Sequence, residues 1–274
     1  MLLPVLSKAS GTGDGECCMP LKELTADNLA FRAGERLDYS MSFKWGPVRT
    51  EIATATLTVE NDYFNGRNVY KAGLRAKTTR FYDSIFKVRE DFNSWFDRDG
   101  LLPRRFTRDT REGSYIAKDD FNFVWDAPEP YIAAQFETGK KPRRSFAIPI
   151  ENSCTHDVIS LFYKARNVDM SRVREGEPNP MVFAIDDDVY TIGFVFRGRE
   201  TRDIKGYGKV RTMKFEVSVV KGEVFADSGI FIWFTDDDNR VPVYIEAGLK
   251  IGMVKATLTG ASGLRHKSAL NPKK

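Results

Sequence analysis

The sequence lacks the long apolar runs and the one-sided charge that would point to a membrane span or a nucleic acid. No apolar stretch approaches the ~20 residues of a bilayer-spanning helix, so we expect no integral membrane protein. Lys and Arg number 42 against 38 Asp and Glu, a formal charge of +4. The one basic cluster, Arg104, Arg105, Arg108 and Arg111, is interrupted by acids, unlike the basic stripe of a nucleic-acid binder. It predicts a solvated strand face, with anionic-ligand binding as the weaker alternative.

Residues that carry metal or acid–base chemistry are also scarce. Two His occur, His156 and His266, and neither a phosphate-binding Gly-rich loop nor a G-x-S-x-G motif is present. Cys154 and His156 form a Cys/His pair, but side chains two positions apart at a helix start diverge, which disfavours catalysis. Acidic triplets at 186–188 and 236–238 fit turns better than calcium loops. We therefore predict no cofactor, no metal and no catalytic residue.

Cysteine is rare, and its three positions are Cys17, Cys18 and Cys154, without the spacing of a metal site. In an oxidising compartment either of the first two can bond Cys154. The chain-entropy model gives such a link roughly 4–5 kcal/mol of stabilisation. The alternative is three unrelated thiols, with Cys154 as a small core residue. We take Cys18–Cys154 as the candidate disulfide and Cys17 as the alternative partner.

The first nine residues resemble the end of a secretory signal peptide. The apolar stretch from Met1 to Leu6 precedes small residues at Ser7 and Ala9, where a cleavage site needs them. We interpret residues 1–9 as a signal-peptide remnant and expect an exported protein, periplasmic or secreted. The alternative is a frayed cytosolic N-terminus with chance hydrophobic residues. Residues 10–30, rich in Gly, Asp and Thr, predict a loose N-terminal lead-in.

Most of the chain shows the period-two alternation of half-buried strands. Aromatic residues make up 12% of the sequence, and Leu37, Tyr39 and Met41 alternate with polar residues. Similar segments follow at short intervals, separated by turns such as Asn65-Gly66, which favours a curved antiparallel sheet over a parallel one. We predict an all-β, mainly antiparallel fold in a single domain at 31–262. The sheet is large and curved, half-barrel or barrel-like, and a flexible basic tail follows at 263–274.

One segment, at about 155–167, has a helical period instead. Its apolar stripe consists of Val158, Leu161, Phe162 and Ala165. Ser153 or Thr155 can cap the start of such a helix. We predict one amphipathic helix that packs on the sheet, because its stripe needs a partner.

Three stretches resemble a family of exported bacterial proteins, the domain-of-unknown-function family DUF3108. They are AFRAGERL at 30–37, CTHDVISLFYKAR at 154–166 and WFTDDDNRVPV at 233–243. The resemblance implies a secreted or periplasmic, β-rich protein without assigned activity, and it transfers no catalytic residues. It also implies a curved sheet with a helix set against it, similar to the half-barrel of lipoprotein carriers. The doubled Cys17-Cys18 departs from the family pattern and leaves the partner of Cys154 open.

These observations favour a non-enzymatic periplasmic binding or carrier module for an apolar or envelope-derived ligand, such as a lipid. A curled sheet of this size can enclose an apolar cavity. The candidate ligand-binding residues are Trp45, Phe92, Phe121, Phe123 and Trp125. The alternative for each of them is a place in the ordinary core.

Two other functions stay open at this point. One is a protein–protein scaffold in the cell envelope, which would work through an unpaired sheet edge. The weaker one is a hydrolase of envelope glycans or lipids that uses acids carried on strands. The sequence carries no signal for an oligomeric state.

Overall fold

The structure is a computed structural model that describes residues 18–151, 153–219, 229–248 and 252–271; the side chains of Trp45, Val48 and Val219 lie outside this description. The described residues form fifteen strands in one sheet and two short helices. The strands of the first half are β1 (Arg36–Trp45), β2 (Val48–Phe64), β3 (Arg67–Thr78), β4 (Val88–Asp97), β5 (Pro103–Glu112), β6 (Tyr115–Val124), β7 (Tyr131–Thr138) and β8 (Lys141–Pro149). Those of the second half are β9 (Thr155–Asp157), β10 (Pro178–Ile185), β11 (Asp188–Ile204), β12 (Gly208–Val219), β13 (Ile230–Thr235), β14 (Pro242–Gly248) and β15 (Met253–Ser262). The helices are α1 (Arg80–Asp83) and α2 (Val158–Ala165).

The first and last strands pair in the middle of the sheet. From β1 the strands β2 to β8 follow one another outwards on one side, and from β15 the strands β14 back to β9 do so on the other. All neighbours are antiparallel except β9 and β10, which are parallel. The sheet is not closed by hydrogen bonds, and β8 and β9 are its edges. The predicted all-β, mainly antiparallel sheet with a helix packed on it is confirmed.

The turn chemistry of the sequence explains the register of the meander. Asn65 and Gly66 have φ angles of 46° and 81°, as a two-residue type I′ hairpin requires at both central positions. They connect Phe64 to Arg67, which are paired across β2 and β3. This register places every second side chain of β2 on the core face.

The helix is shorter than its predicted span because the residues before it form a strand. Thr155, His156 and Asp157 pair with β10 as β9, and α2 begins only at Val158. The N-cap is Asp157, whose carboxylate accepts hydrogen bonds from the backbone N–H groups of Ile159 and Ser160, both at 2.9 Å. The predicted caps at Ser153 and Thr155 are therefore wrong, because Ser153 lies in a turn and Thr155 in β9, both before the helix.

The core consists of three apolar clusters, and α2 lies between two of them. Ile159 and Tyr163 belong to a cluster with the inward residues of β2 to β8, which we call the first cluster. Leu161 and Ala165 belong to a second cluster, with β10 to β13. A third cluster joins β1 and β2 to β12–β15. The helix therefore fills the space between the two halves of the curled sheet.

The described parts of the predicted lead-in and tail pack against the core. Leu29 is fully buried and Leu24 nearly so, both within the first cluster. In the tail, Leu270 is buried, and Arg265 donates from Nη1 to the carbonyl oxygen of Ala26 at 2.6 Å. Residues 18–30 and 263–271 are therefore packed segments, and the predictions of a loose lead-in and a flexible tail do not describe them. Such segments have no periodicity, so their burial leaves no pattern in the sequence. Residues 1–9, the predicted signal-peptide remnant, lie outside the described residues.

Ion pairs join the two halves near the sheet edges. In the turn between β10 and β11, Asp186 pairs with Arg108 of β5, and Asp187 pairs with Arg144 of the edge strand β8. Arg108 also pairs through Nε with buried Asp119 of β6 at 2.8 Å. The predicted turn role of this acidic triplet is thus combined with side-chain contacts across the fold.

Candidate functional site

A groove of about 940 Å³ lies along strands β1 to β5. Polar side chains line it, among them Thr54, Thr56, Thr58, Arg75, Asp91 and Asn93. Because successive side chains of a strand point to opposite faces, the groove residues of β2 alternate with Ala55, Leu57 and Val59, which are buried. The groove is therefore on the face opposite the core, and we call it the polar groove.

Most charged groups of the polar groove are held in pairs, although Lys77 and Glu90 are in none of the ion pairs of the described residues. Asp91 accepts a hydrogen bond from Nε of Arg75 at 3.2 Å and another from Nδ2 of Asn93 at 2.7 Å. Asp109 and Arg111 pair at 3.0 Å. The groove thus presents donors and acceptors side by side rather than a field of one sign, a pattern that suits a ligand rich in hydroxyl groups.

Glu90 of β4 borders the polar groove in a half-buried position. Burial raises the pKa of its carboxyl from an ordinary value of 4.5 to about 7, although the Thr110 hydroxyl, which donates to Oε2 at 2.6 Å, opposes this rise. The carboxyl therefore keeps a proton to higher pH in the folded chain than in the unfolded chain.

This pKa predicts a pH-dependent contribution to stability. A raised folded-state pKa stabilises the fold below about pH 4.5, and the contribution is lost as the pH rises through about 7. We expect Glu90→Gln to flatten the fall in unfolding free energy between pH 5 and pH 8, as measured by urea denaturation at both values. The matched control is Glu60→Gln, another carboxyl of the groove. If the unfolding free energy of Glu90→Gln falls with pH as steeply as that of the wild type, the raised pKa of Glu90 is contradicted.

A buried polar network fixes the start of α2. Nζ of Lys164 donates to Nε2 of His156 at 2.7 Å, and Nδ1 of His156 lies 3.1 Å from Oγ of Ser160. The Ser160 hydroxyl donates to Asp157 at 2.8 Å, as does that of Ser94 at 2.7 Å. This arrangement places the neutral imidazole's proton on Nδ1.

The same network contains a Ser, a His and an Asp, yet its surroundings favour a structural role. His156, Asp157 and Ser160 are fully buried, and burial with the neighbouring Lys164 ammonium lowers the pKa of His156 well below 6.5. The cavity beside His156 measures about 10 Å³, room for at most one water molecule. The network satisfies buried polar groups at the junction of β9 and α2, and no substrate has access to it.

Cys18 and Cys154 form the predicted disulfide. Their Cα atoms are 5.8 Å apart and the sulfur atoms are within bonding distance. Cys17 lies outside the described residues. Because the sulfur of Cys154 is engaged with Cys18, the Cys154–His156 pair supplies no thiolate nucleophile.

The described residues contain no group of three or more His, Cys, Asp or Glu side chains arranged to hold a metal ion. Within the same ranges, neither helix has the length and apolar character to cross a membrane.

Comparison with known proteins identifies the family of the chain. The model of a family described as "Protein of unknown function (DUF3108)" matches residues 38–259. The chain belongs to this family. No curated protein matches the sequence.

A solved structure supports the fold of this DUF3108 chain. It is similar to the crystal structure of a β-barrel-like protein of the domain of unknown function DUF1849 from Brucella abortus, with a TM-score of 0.54 and 10% sequence identity. The alignment covers 83% of the DUF3108 chain and 96% of the Brucella chain. At this identity the likeness concerns the fold alone.

The aromatic residues predicted as ligand-binding lie with the core of the DUF3108 fold. Phe121 and Phe123 are buried in the first cluster, and Phe92 and Trp125 pack against it. The rings of Phe123 and Trp125 are stacked with centroids 6.1 Å apart. None of these four borders the polar groove. The side chain of Trp45, at the end of β1, lies outside the described residues. Ligand binding by this set stays a prediction.

The pattern of the sequence did not predict the polar groove. The alternating threonines of β2 and the Arg75, Asp91 and Asn93 side chains of β3 and β4 form the polar half of a period-two pattern. That pattern is the same for a flat solvated face and for a face that curves into a groove. The only available signal was the regular polar face shared by several consecutive strands.

Proposed function

We propose that the chain is a non-catalytic binding module whose polar groove holds an envelope-derived ligand rich in hydroxyl groups, such as a glycan strand. The observation that carries the proposal is the groove itself, a hollow of about 940 Å³ bordered by paired polar side chains. A hydroxyl both donates and accepts, so it can bind the amide of Asn93 and the carboxylate of Asp91 together.

The choice of a polar rather than an apolar ligand rests on how the core is occupied. The inward faces of the sheet carry the chain's own aromatic and aliphatic side chains, in clusters that include α2. A long groove that curves along five strands matches an extended polymer better than a compact lipid. We therefore narrow the binding or carrier function to a polar, envelope-derived ligand.

Export of the protein is part of the same proposal. A disulfide that joins residues 136 positions apart is typical of oxidising compartments such as the periplasm. The envelope is also where a glycan ligand would be met. Fractionation of cells that express the full-length protein tests this part directly.

Binding assays with purified envelope polymers test the ligand class. We expect soluble peptidoglycan strands or lipopolysaccharide-derived oligosaccharides to bind. Arg75→Ala with Asn93→Ala should weaken binding about thirtyfold, because two hydrogen bonds are lost. Each lost hydrogen bond is worth about 1 kcal/mol net, and 1.4 kcal/mol corresponds to a factor of ten. The matched control is Arg197→Ala with Asn122→Ala, which removes the same residue types away from the groove. Isothermal titration calorimetry gives the affinities.

Several outcomes would contradict the proposal. The first is that the protein binds none of the polymers, and the second is that the groove variant and its control lose equal affinity. The third is that lipid is the only ligand extracted from the purified protein. Release of new reducing ends from a bound glycan would overturn the non-catalytic part and favour a hydrolase. If the chain specifically captures an envelope protein, and the groove variant captures it equally well, a scaffold function is favoured.

A further inference from the structure

Four of the large apolar side chains that the described residues expose occur together. Phe81, Ile85 and Phe86, in the connection between β3 and β4, are 69%, 65% and 53% exposed, and Tyr115 at the start of β6 is 46% exposed. The ring of Phe86 lies over Gly113, in the turn that leads to Tyr115, where a Cβ would come within 2.7 Å of the ring. We call these four residues the apolar tip. Single exposed apolar residues are ordinary, but a contiguous group marks an interaction surface.

Hydrogen bonds hold the backbone of the apolar tip in this exposed conformation. Asp83 accepts from the hydroxyl of Thr78 and from Nη1 of Arg89, the latter at 2.8 Å. The Tyr82 hydroxyl donates to Oγ1 of Thr50 at 2.8 Å. The side chains of Tyr82 and Asp83 thus bond to the sheet, and the apolar side chains of the segment point outwards.

Basic residues flank the segment that carries three of the four tip residues, and one exposed acid, Glu112, lies opposite Tyr115. Arg80 and Lys87, at the two ends of the segment, are exposed, and none of the ion pairs of the described residues engages them. The acid between them, Asp83, is paired with Arg89. Exposed aromatic and aliphatic residues beside free basic residues are the composition of interfacial membrane anchors.

We propose that the apolar tip docks the protein on an anionic lipid surface, with Phe81, Ile85 and Phe86 in the boundary between headgroups and acyl chains. Arg80 and Lys87 then contact the lipid phosphates, since basic residues near an anionic membrane gain electrostatic attraction. Four side chains form too small a surface for a stable protein interface, which needs about 800 Å² on each partner. A lipid surface has no such requirement, because it adapts its shape to the inserted side chains.

This docking would orient the polar groove, although it does not depend on the groove's ligand. Lys77, Arg89 and Arg111 border the groove and lie at the ends of β3, β4 and β5 nearest the apolar tip. A protein attached through the tip would therefore hold one end of the groove next to the membrane surface.

Vesicle flotation with the full chain tests the proposal. We expect the protein to float with vesicles of equal parts phosphatidylglycerol and phosphatidylcholine. Phe81→Ser with Ile85→Ser and Phe86→Ser should reduce the bound fraction about tenfold, because the apolar contribution to interfacial binding scales with the buried apolar area. Tyr63→Ser is the matched control, since Tyr63 is 67% exposed on a different turn, and it should float like the wild type. Arg80→Ala with Lys87→Ala should reduce flotation with the anionic vesicles.

Three results would count against docking of the apolar tip on a lipid surface. Absence of wild-type flotation, or equal flotation of the triple variant with thermal unfolding unchanged, would overturn the proposal. A dimer in sedimentation velocity without vesicles, lost in the triple variant but not in Tyr63→Ser, would assign the apolar tip to a second copy of the chain instead.

Discussion

Arg166→Met should lower the free energy of unfolding by about 3–5 kcal/mol, the loss typical when one partner of a buried ion pair is removed. Arg166 and Glu35 have fully buried side chains, and the two guanidinium nitrogens lie 2.5 and 2.9 Å from the two carboxylate oxygens. Without the guanidinium, the Glu35 carboxylate would lose its partner in a buried position, and an unpaired buried polar group destabilises the folded state.

Arg166 also joins segments that are distant in the sequence, which adds to the expected loss. Its Nη2 donates to the carbonyl oxygen of Asn239 at 2.8 Å, and the guanidinium lies 5.7 Å from the ring of Phe31 and 5.5 Å from that of Tyr163. One side chain therefore connects the end of α2 to the strand entry at Glu35 and to the loop between β13 and β14.

An exposed Arg–Glu pair provides the control for this prediction. Arg174 and Glu177 are 3.6 Å apart, with side chains 80% and 61% exposed. Arg174→Met should cost less than about 1 kcal/mol, as for most surface pairs. Urea denaturation followed by circular dichroism measures both variants, and Glu35→Gln with Arg166→Met should lose less than the sum of the two single changes. Equal small losses in Arg166→Met and Arg174→Met would contradict the role of the buried pair.

The strands and turns were predictable because their signals are local. The alternation that begins at Leu37 and the Asn65-Gly66 turn each depend on a few neighbouring residues, and both appear in the sheet as predicted. The helix was predictable from its stripe, but its start was not. Thr155 and His156 belong to a strand only because β10, more than twenty residues later, pairs with them.

The Arg166 network was not predictable from local pattern. Glu35 precedes the first strand and Arg166 ends a helix, and a sequence separation of 131 residues hides their contact. A signal nevertheless existed. The three stretches that carry the family resemblance, 30–37, 154–166 and 233–243, meet at this point, because Arg166 bonds Glu35 in the first and Asn239 in the third. Distant stretches that together identify a family are candidates for mutual contact even where they carry no catalytic motif.

The polar groove was not predicted from the sequence, for a similar reason. Aromatic residues such as Phe121 and Phe123 were chosen because a curved sheet can enclose a hollow, but they lie in the first cluster with α2. The groove formed instead on the polar face, bordered by side chains such as Arg75 and Asn93. Alternation along a strand shows which face is apolar, but it does not show whether the polar face of several strands curves into a groove.

Cys18→Ser should be the other strongly destabilising change, with a loss of about 3–5 kcal/mol in unfolding free energy under oxidising conditions. Cys18 and Cys154 are 136 residues apart, and a cross-link over so long a loop removes much of the conformational freedom of the unfolded chain. The link also secures the lead-in, whose Met19 packs in the second cluster, beside the start of β9. Dithiothreitol should lower the melting temperature of the wild type to that of Cys18→Ser and leave the variant unchanged.

Cys17→Ser is the matched control, because it removes a thiol at the adjacent position. If Cys18 is the partner of Cys154, the Cys17→Ser protein should melt like the wild type and keep its sensitivity to dithiothreitol. A loss on Cys17→Ser as large as that on Cys18→Ser would contradict Cys18 as the specific partner of Cys154. If neither variant loses stability and both stay sensitive to dithiothreitol, each cysteine can replace the other as the partner of Cys154. If neither loses stability and dithiothreitol has no effect on either, burial of Met19, Leu24 and Leu29 holds the lead-in against the sheet without the covalent link.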